Sequence, residues 1–158
     1  MNILCTSIPT INFVELLINR HGEDITLFVT ELRPFEESVS ASLRELEERK
    51  ISVVLITDNM MGALFQSYEI DSVYSVFMKQ ESETYICPAG AHMAALLCEE
   101  FQKAFYLVTL RSDSGLYLSK SAPENFFGRS IATALENVHF IEYKWDIVEK
   151  SMVSEVLE

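Results

Sequence analysis

Basic side chains are scarce in this sequence: twelve lysines and arginines face twenty-four aspartates and glutamates, for a formal charge of -12, and no stretch concentrates the cations. Such a chain repels a nucleic-acid backbone or an anionic bilayer, so neither is an expected partner. No apolar run approaches the ~20 residues of a membrane span, and the opening MNILCTSIPT lacks the basic stretch and long apolar segment of a secretion signal. Cysteine is limited to Cys5, Cys87 and Cys98, an odd number and widely spaced. That pattern predicts reduced thiols in a cytoplasmic compartment rather than a disulfide framework, and a metal cluster would need closer spacing with histidines nearby. There is no Gly-x-Gly-x-x-Gly and no phosphate-cradling loop ending in Gly-Lys-Ser or Gly-Lys-Thr, so no nucleotide cofactor is expected. There is also no Gly-x-Ser-x-Gly elbow, which leaves Ser7, Asp58 and His92 as a nucleophile, acid and base that could meet only through the fold.

What is present reads as one domain, residues 1–158. A chain of this length buries roughly 70% of the surface of its unfolded form, so a core needs no staple. Apolar residues make up 49% of the sequence, with ten phenylalanines, six tyrosines and Trp145, enough to leave apolar surface for a partner subunit.

The order of elements is a repeated strand and helix. NILCTS is a short apolar run, and TINFVELLINRHG carries Val14, Leu17 and Ile18 at helical spacing until Gly22 stops it. DITLFVTEL is rich in β-branched and aromatic residues. In FEESVSASLRELEERK, Val39, Leu43 and Leu46 form a stripe, with acids in the first turn and Arg49 and Lys50 near the end, as the helix dipole favours. ISVVLITD is apolar without alternation, which predicts a strand buried on both faces, and NMMGALFQSY a short helix. Further on, DSVYSVFMK predicts a strand, SETYICP a connecting loop, AGAHMAALLCEEFQK a helix and AFYLVTL a buried strand. Residues 111–137 are broken by Gly115, Pro123 and Gly128, although GRSIATALEN has helical character. VHFIEYKWD predicts a strand and IVEKSMVSEVLE a closing amphipathic helix. The expected fold class is α/β: a three-layer Rossmann-like domain, with a mostly parallel sheet and helices on both faces.

In such a sheet ligands bind at the carboxyl ends of the strands, here near Thr6-Ser7, Thr30-Glu31, Thr57-Asp58, Met78-Lys79 and Thr109. The polar corner Thr57-Asp58-Asn59 has two readings. Asp58 or Asn59 caps the next helix by accepting from its free amides, or Asp58 orients a ligand or a proton at the crevice. Arg33 stands among Glu31, Glu36 and Glu37, which suits an ion pair or a subunit contact better than a phosphate clamp.

Three pieces, TELRP, KISVVLITDNM and IDSVYSV, resemble in order and spacing the family of methylthioribose-1-phosphate isomerase and the alpha, beta and delta subunits of translation initiation factor 2B. Weaker echoes are NILCTS, AGAHMAALLCEEFQKAFYLV and YKWDIVEKSMVSEVLE. The resemblance implies the second, Rossmann-like half of that family (the NagB/RpiA/CoA-transferase type), which dimerises through this half, and an absent N-terminal helical domain that in the isomerases supplies phosphate-binding arginines. It also implies a changed site. The catalytic cysteine position falls at Ser7, with Cys5 two residues early. A glutamine position falls at Glu37, the catalytic aspartate at about Met78 and its neighbouring arginine at Lys79, and TYICPAGAH lacks an Asn-Lys pair. Methionine cannot shuttle a proton, serine forms no ready thiolate, and Glu37 brings negative charge toward a phosphate.

The expected function is therefore a non-catalytic, self-associating module with a structural or regulatory role, related to initiation factor 2B. The alternative is a sugar-phosphate isomerase-like enzyme or metabolite sensor working through Cys5, Ser7, Asp58 and His92, with Thr6, Thr30, Glu31, Arg33, Thr57, Asn59 and Lys79 lining the crevice. No metal or cofactor is called for. A homodimer is expected, through Met60, Met61, Leu64, Phe65, Met93 and Leu97, besides a possible separately encoded protein partner and a small phosphorylated metabolite.

Overall fold

A computed structural model of the chain describes residues 1–7, 9–32, 43–44, 46–109 and 145–157. Its elements are β1 (Asn2–Cys5), α1 (Ile11–His21), β2 (Thr26–Thr30), β3 (Ser52–Ile56), α2 (Met61–Ser67) and β4 (Ser72–Phe77), followed by β5 (Lys79–Gln80), β6 (Thr84–Pro88), α3 (Ala91–Phe101), β7 (Ala104–Thr109), β8 (Trp145–Glu149) and β9 (Glu155–Leu157).

A six-stranded sheet runs β3-β2-β1-β4-β7-β9, with every ladder parallel. Counting only its own strands, that is the doubly wound order 3-2-1-4-5-6, in which the chain reverses direction between β1 and β4. Helices cover both faces. On one, Phe13, Val14 and Leu17 of α1 and Leu46 pack with Ile3, Cys5, Leu27, Val29, Tyr74 and Val76. On the other, Met61, Leu64 and Phe65 of α2 and Ala91, Ala94, Ala95 and Cys98 of α3 pack on Leu4, Phe28, Val73 and Leu107. Alternate residues of each strand thus feed alternate faces, as the pleat requires. α1 stops where Gly22 takes φ 84 and donates its N–H to the Ile18 carbonyl, a left-handed turn that a side chain would strain.

Three expectations are corrected. Among the described strands β3 lies at the edge, and it is not buried on both faces: Val54 and Leu55 are 38% and 52% exposed. SETYICP is not a loop but supplies β6, the middle of a small antiparallel sheet of order β5-β6-β8. The C-terminal segment is not a helix. It forms β8, a 3-10 turn at Lys150–Met152 and β9, which joins the large sheet beside β7. The expected helix over FEESVSASLRELEERK falls largely outside the described residues, of which 43–44 and 46–48 are helical; GRSIATALEN lies wholly outside them, as does most of VHFIEYKWD. Among the described residues no helix is long and apolar enough to cross a membrane.

Candidate functional site at the strand ends

The carboxyl ends of β1, β2, β3, β4 and β7 lie where the sequence places them, at Cys5, Thr30, Ile56, Phe77 and Thr109. The Leu4↔Phe28 and Cys5↔Val29 register carries one step further to set Thr6 beside Thr30, and Cys5↔Tyr74 sets Thr6 beside Ser75. The Thr6 N–H donates to the Tyr74 carbonyl at 3.0 Å, which fixes that step. Thr30, Thr6 and Ser75 thus form a row of hydroxyl residues across three adjacent strands, all buried. The hydroxyls of Thr6, Ser7 and Thr30 have no hydrogen-bond partner among the described residues, nor does His92 Nδ1. Among the described residues the Ser75 hydroxyl donates only to the Val76 carbonyl, at 3.5 Å.

Among the described residues Asp58 caps no helix. Neither the 3-10 turn Asp58–Met60 nor α2 has a side-chain cap, and Asp58 Oδ1 instead accepts from the Leu32 N–H at 3.0 Å. Leu32 sits at φ 53, a conformation that costs a non-glycine residue about 1–2 kcal/mol. The carboxylate therefore ties the β3 corner to the β2 corner and holds the strained residue in place. Nor does Asn59 cap: its side-chain oxygen accepts from the Thr57 hydroxyl at 2.6 Å. Glu31 continues the ladder, its N–H donating to the Ile56 carbonyl.

The nucleophile candidates are sealed. Cys5 is fully buried on the α1 face, and desolvation pushes its thiol pKa far up. Ser7 is equally buried, and no base reaches its hydroxyl among the described residues. The Ser7, Asp58 and His92 constellation does not form, since Ser7 Oγ and His92 Nδ1 are both unpartnered while Asp58 serves Leu32. Lys79 is exposed and paired with Glu81 at 2.9 Å, and Met78 is exposed beside it. Arg33 lies outside the described residues.

One residue of this region was invisible to sequence reasoning. Asp146 Oδ2, on β8, accepts from the N–H groups of both Gly90 and His92, at 2.8 and 3.0 Å. It caps α3 from a distant strand, and a carboxylate there occupies the amides a ligand anion would otherwise use. Sequence separation hid it, since the partners lie more than fifty residues away.

Of the interface candidates, Met61, Leu64 and Phe65 pack inward in the core. That corrects the expectation that they face a partner. Met60 and Met93 are exposed, Leu97 is half-buried, and Leu96, not anticipated, is exposed.

Comparison with known proteins places these features in context. A methylthioribose-1-phosphate isomerase of Thermotoga maritima is 25% identical over 151 residues, 86% of this chain and 43% of that protein. One of Leptospira interrogans is 42% identical over a 52-residue stretch, 33% of this chain and 14% of that protein. Among solved structures, the delta subunit of translation initiation factor 2B from A. fulgidus superposes with a TM-score of 0.76 at 18% identity, over 98% of this chain and 51% of that one. The 5-methylthioribose 1-phosphate isomerase of Pyrococcus horikoshii does so with 0.77 at 20%, over 99% and 49%. These structures share the α/β fold described above, and the chain spans about half their length. With the family model matched over residues 3–156, the chain belongs to the initiation factor 2 subunit family.

Proposed function

We propose that this chain is a non-catalytic, self-associating module of its family, with a structural or regulatory role. The observation that carries the reading is the sealed pair at the end of β1: Cys5 and Ser7 are both wholly buried, the thiol is held protonated by desolvation, and no base among the described residues reaches Ser7. Isomerising a sugar carbonyl requires a group that moves a proton between neighbouring carbons, and the thioether of Met78 cannot serve. Self-association is supported by the apolar surface left on β3 and beside it, where Val54, Leu55, Met60 and Tyr68 are exposed. The test is twofold. Purified protein should not turn over methylthioribose 1-phosphate or ribose 1,5-bisphosphate in a coupled assay, and light scattering at micromolar concentration should give twice the 18.0 kDa of one chain. Turnover abolished by Asp58→Asn, or a single-chain mass at every concentration, would overturn it.

A second reading rests on the buried unpartnered hydroxyls of Thr6, Ser7 and Thr30. Such groups are costly unless something pairs with them, which favours a small hydrogen-bonding metabolite at the crevice and a role as enzyme or sensor. A thermal shift with a sugar phosphate that Thr6→Val removes would support it.

A further inference from the structure

The described sheets have four outer strands, and three carry the devices that keep an edge from pairing. β9 is three residues long and begins with Glu155, which is ion-paired to Arg20 at 2.6 Å. β5 is two residues and contains Lys79. β8 carries Asp146 and Glu149. β3 has none of them: Ser52–Ile56 reads SVVLI, with no charge and no proline, and it exposes Val54 on one face and Leu55 on the other.

Its backbone is also set for pairing. The Ile56 carbonyl points inward, accepting from Glu31, so alternation along a parallel strand turns Ser52, Val54 and Ile56 toward β2 and leaves the N–H and C=O groups of Val53 and Leu55 on the outer edge. No partner for these outer groups is found among the described residues. We infer that β3 is the seat of a second copy of this chain, paired antiparallel across a two-fold axis through Val54; this rests on the self-association reading above and specifies its geometry. A two-fold axis that joins identical edges makes them antiparallel. Full overlap of the five-residue strand sets Ser52 against Ile56 and Val53 against Leu55. The latter are the residues with outward donors and acceptors, so each copy's Val53 and Leu55 exchange hydrogen bonds with the other's. Val54 then meets its own copy in a non-hydrogen-bonded pair, where Cα atoms lie about 4.5 Å apart. Around it, Tyr68, whose ring lies 5.5 Å from that of Phe28, the residue beside Val54 in the ladder, extends the apolar contact. The same register brings the Lys50 end of each strand to the Asp58 end of the other. Two copies joined this way share one continuous sheet of twelve strands, twice the six of one chain.

The experiment is oxidative cross-linking of Val54→Cys in the full chain. The native thiols Cys5, Cys87 and Cys98 are all buried and do not compete, and the required Cα separation lies within disulfide reach. Val54→Cys should convert to a covalent dimer while Leu96→Cys, exposed on α3, stays uncrossed. Leu55→Lys should weaken the dimer at least tenfold in sedimentation while its circular dichroism stays that of the parent. A parent protein that is dimeric yet gives no Val54→Cys cross-link, and whose dimer is dissolved by Leu96→Lys and not by Leu55→Lys, would overturn edge pairing and leave self-association standing. A parent that is monomeric throughout would overturn both.

Discussion

The amide of Leu32 and the ring of His21 carry the two single-residue features most open to test. Leu32 holds φ 53 with its N–H given to the Asp58 carboxylate. Asp58→Ala removes a charged acceptor and should lower stability by about 1–2 kcal/mol in urea denaturation, while Asp58→Asn, which keeps an oxygen at that position, should recover most of the loss. Equal losses for both variants would show that the charge and not the hydrogen bond matters. His21 Nε2 lies 2.6 Å from the Tyr74 hydroxyl. Its pKa is lowered from the ordinary 6.5, first by desolvation and then by the neighbouring Arg20, and burial pushes Tyr74 up to about 12. The unfolded chain therefore takes up this proton near pH 6.5 and the folded chain only below it, so between those points the unfolded state binds more protons and stability falls as pH falls. Above 6.5 the contribution is whole. The difference in melting temperature between the parent and His21→Gln should be constant above about pH 7 and should shrink, or reverse in favour of the variant, toward about pH 5.5; a constant difference across that range would remove His21 as the source.

At the scale of elements, Asp146 shows how a local helix start depends on a remote strand. The first turn of α3 begins at Gly90 with no side-chain cap of its own, and two of its amides are satisfied by Asp146. Asp146→Ala should cost about 2 kcal/mol and speed amide exchange first in α3 and β8; loss of protection spread evenly over the large sheet would argue against a local cap. Strand and helix types were legible where apolar spacing was long and unbroken, as in α1, α3, β2, β4 and β7. They were misread where short segments satisfy two periods. Ile147, Val148, Met152, Val156 and Leu157 recur at near-helical intervals, yet they belong to two strands and a 3-10 turn. In β6, Tyr85 and Cys87 point inward while Thr84 and Ile86 are half-buried, an alternation of period 2 visible in TYICP but too short to outweigh the Glu-Ser-Glu before it. At the site, the strand-end positions were legible because they follow from the strands. The partners of Asp58 and Asp146 were not, because each is set by a contact between segments far apart in the chain.

For the molecule as a whole, the unalternating run SVVLI decides more than any single site. Apolar on both faces, it has the composition of a central strand, but it lies at the edge of the sheet. A second copy resolves that mismatch by making the edge central. Two bodies of formal charge -12 repel when they approach, and that repulsion is screened over a Debye length of roughly 30 Å at 0.01 M salt and 8 Å at 0.15 M. Of the opposite charges brought toward each other at the strand ends, Lys50 is exposed and Asp58 is half-buried and already bonded to the Leu32 N–H, and a pair with an exposed partner contributes about 0.2–1 kcal/mol and is itself screened. Net repulsion involves every charge on both copies and outweighs two such pairs, so salt should strengthen the dimer. Sedimentation equilibrium from about 0.02 M to 0.5 M salt should show the dissociation constant falling, with most of the change complete by about 0.15 M, where the Debye length is already short beside a domain. A dissociation constant that rises steeply over the same range would mean that association rests on ion pairs, and would move the interface away from β3.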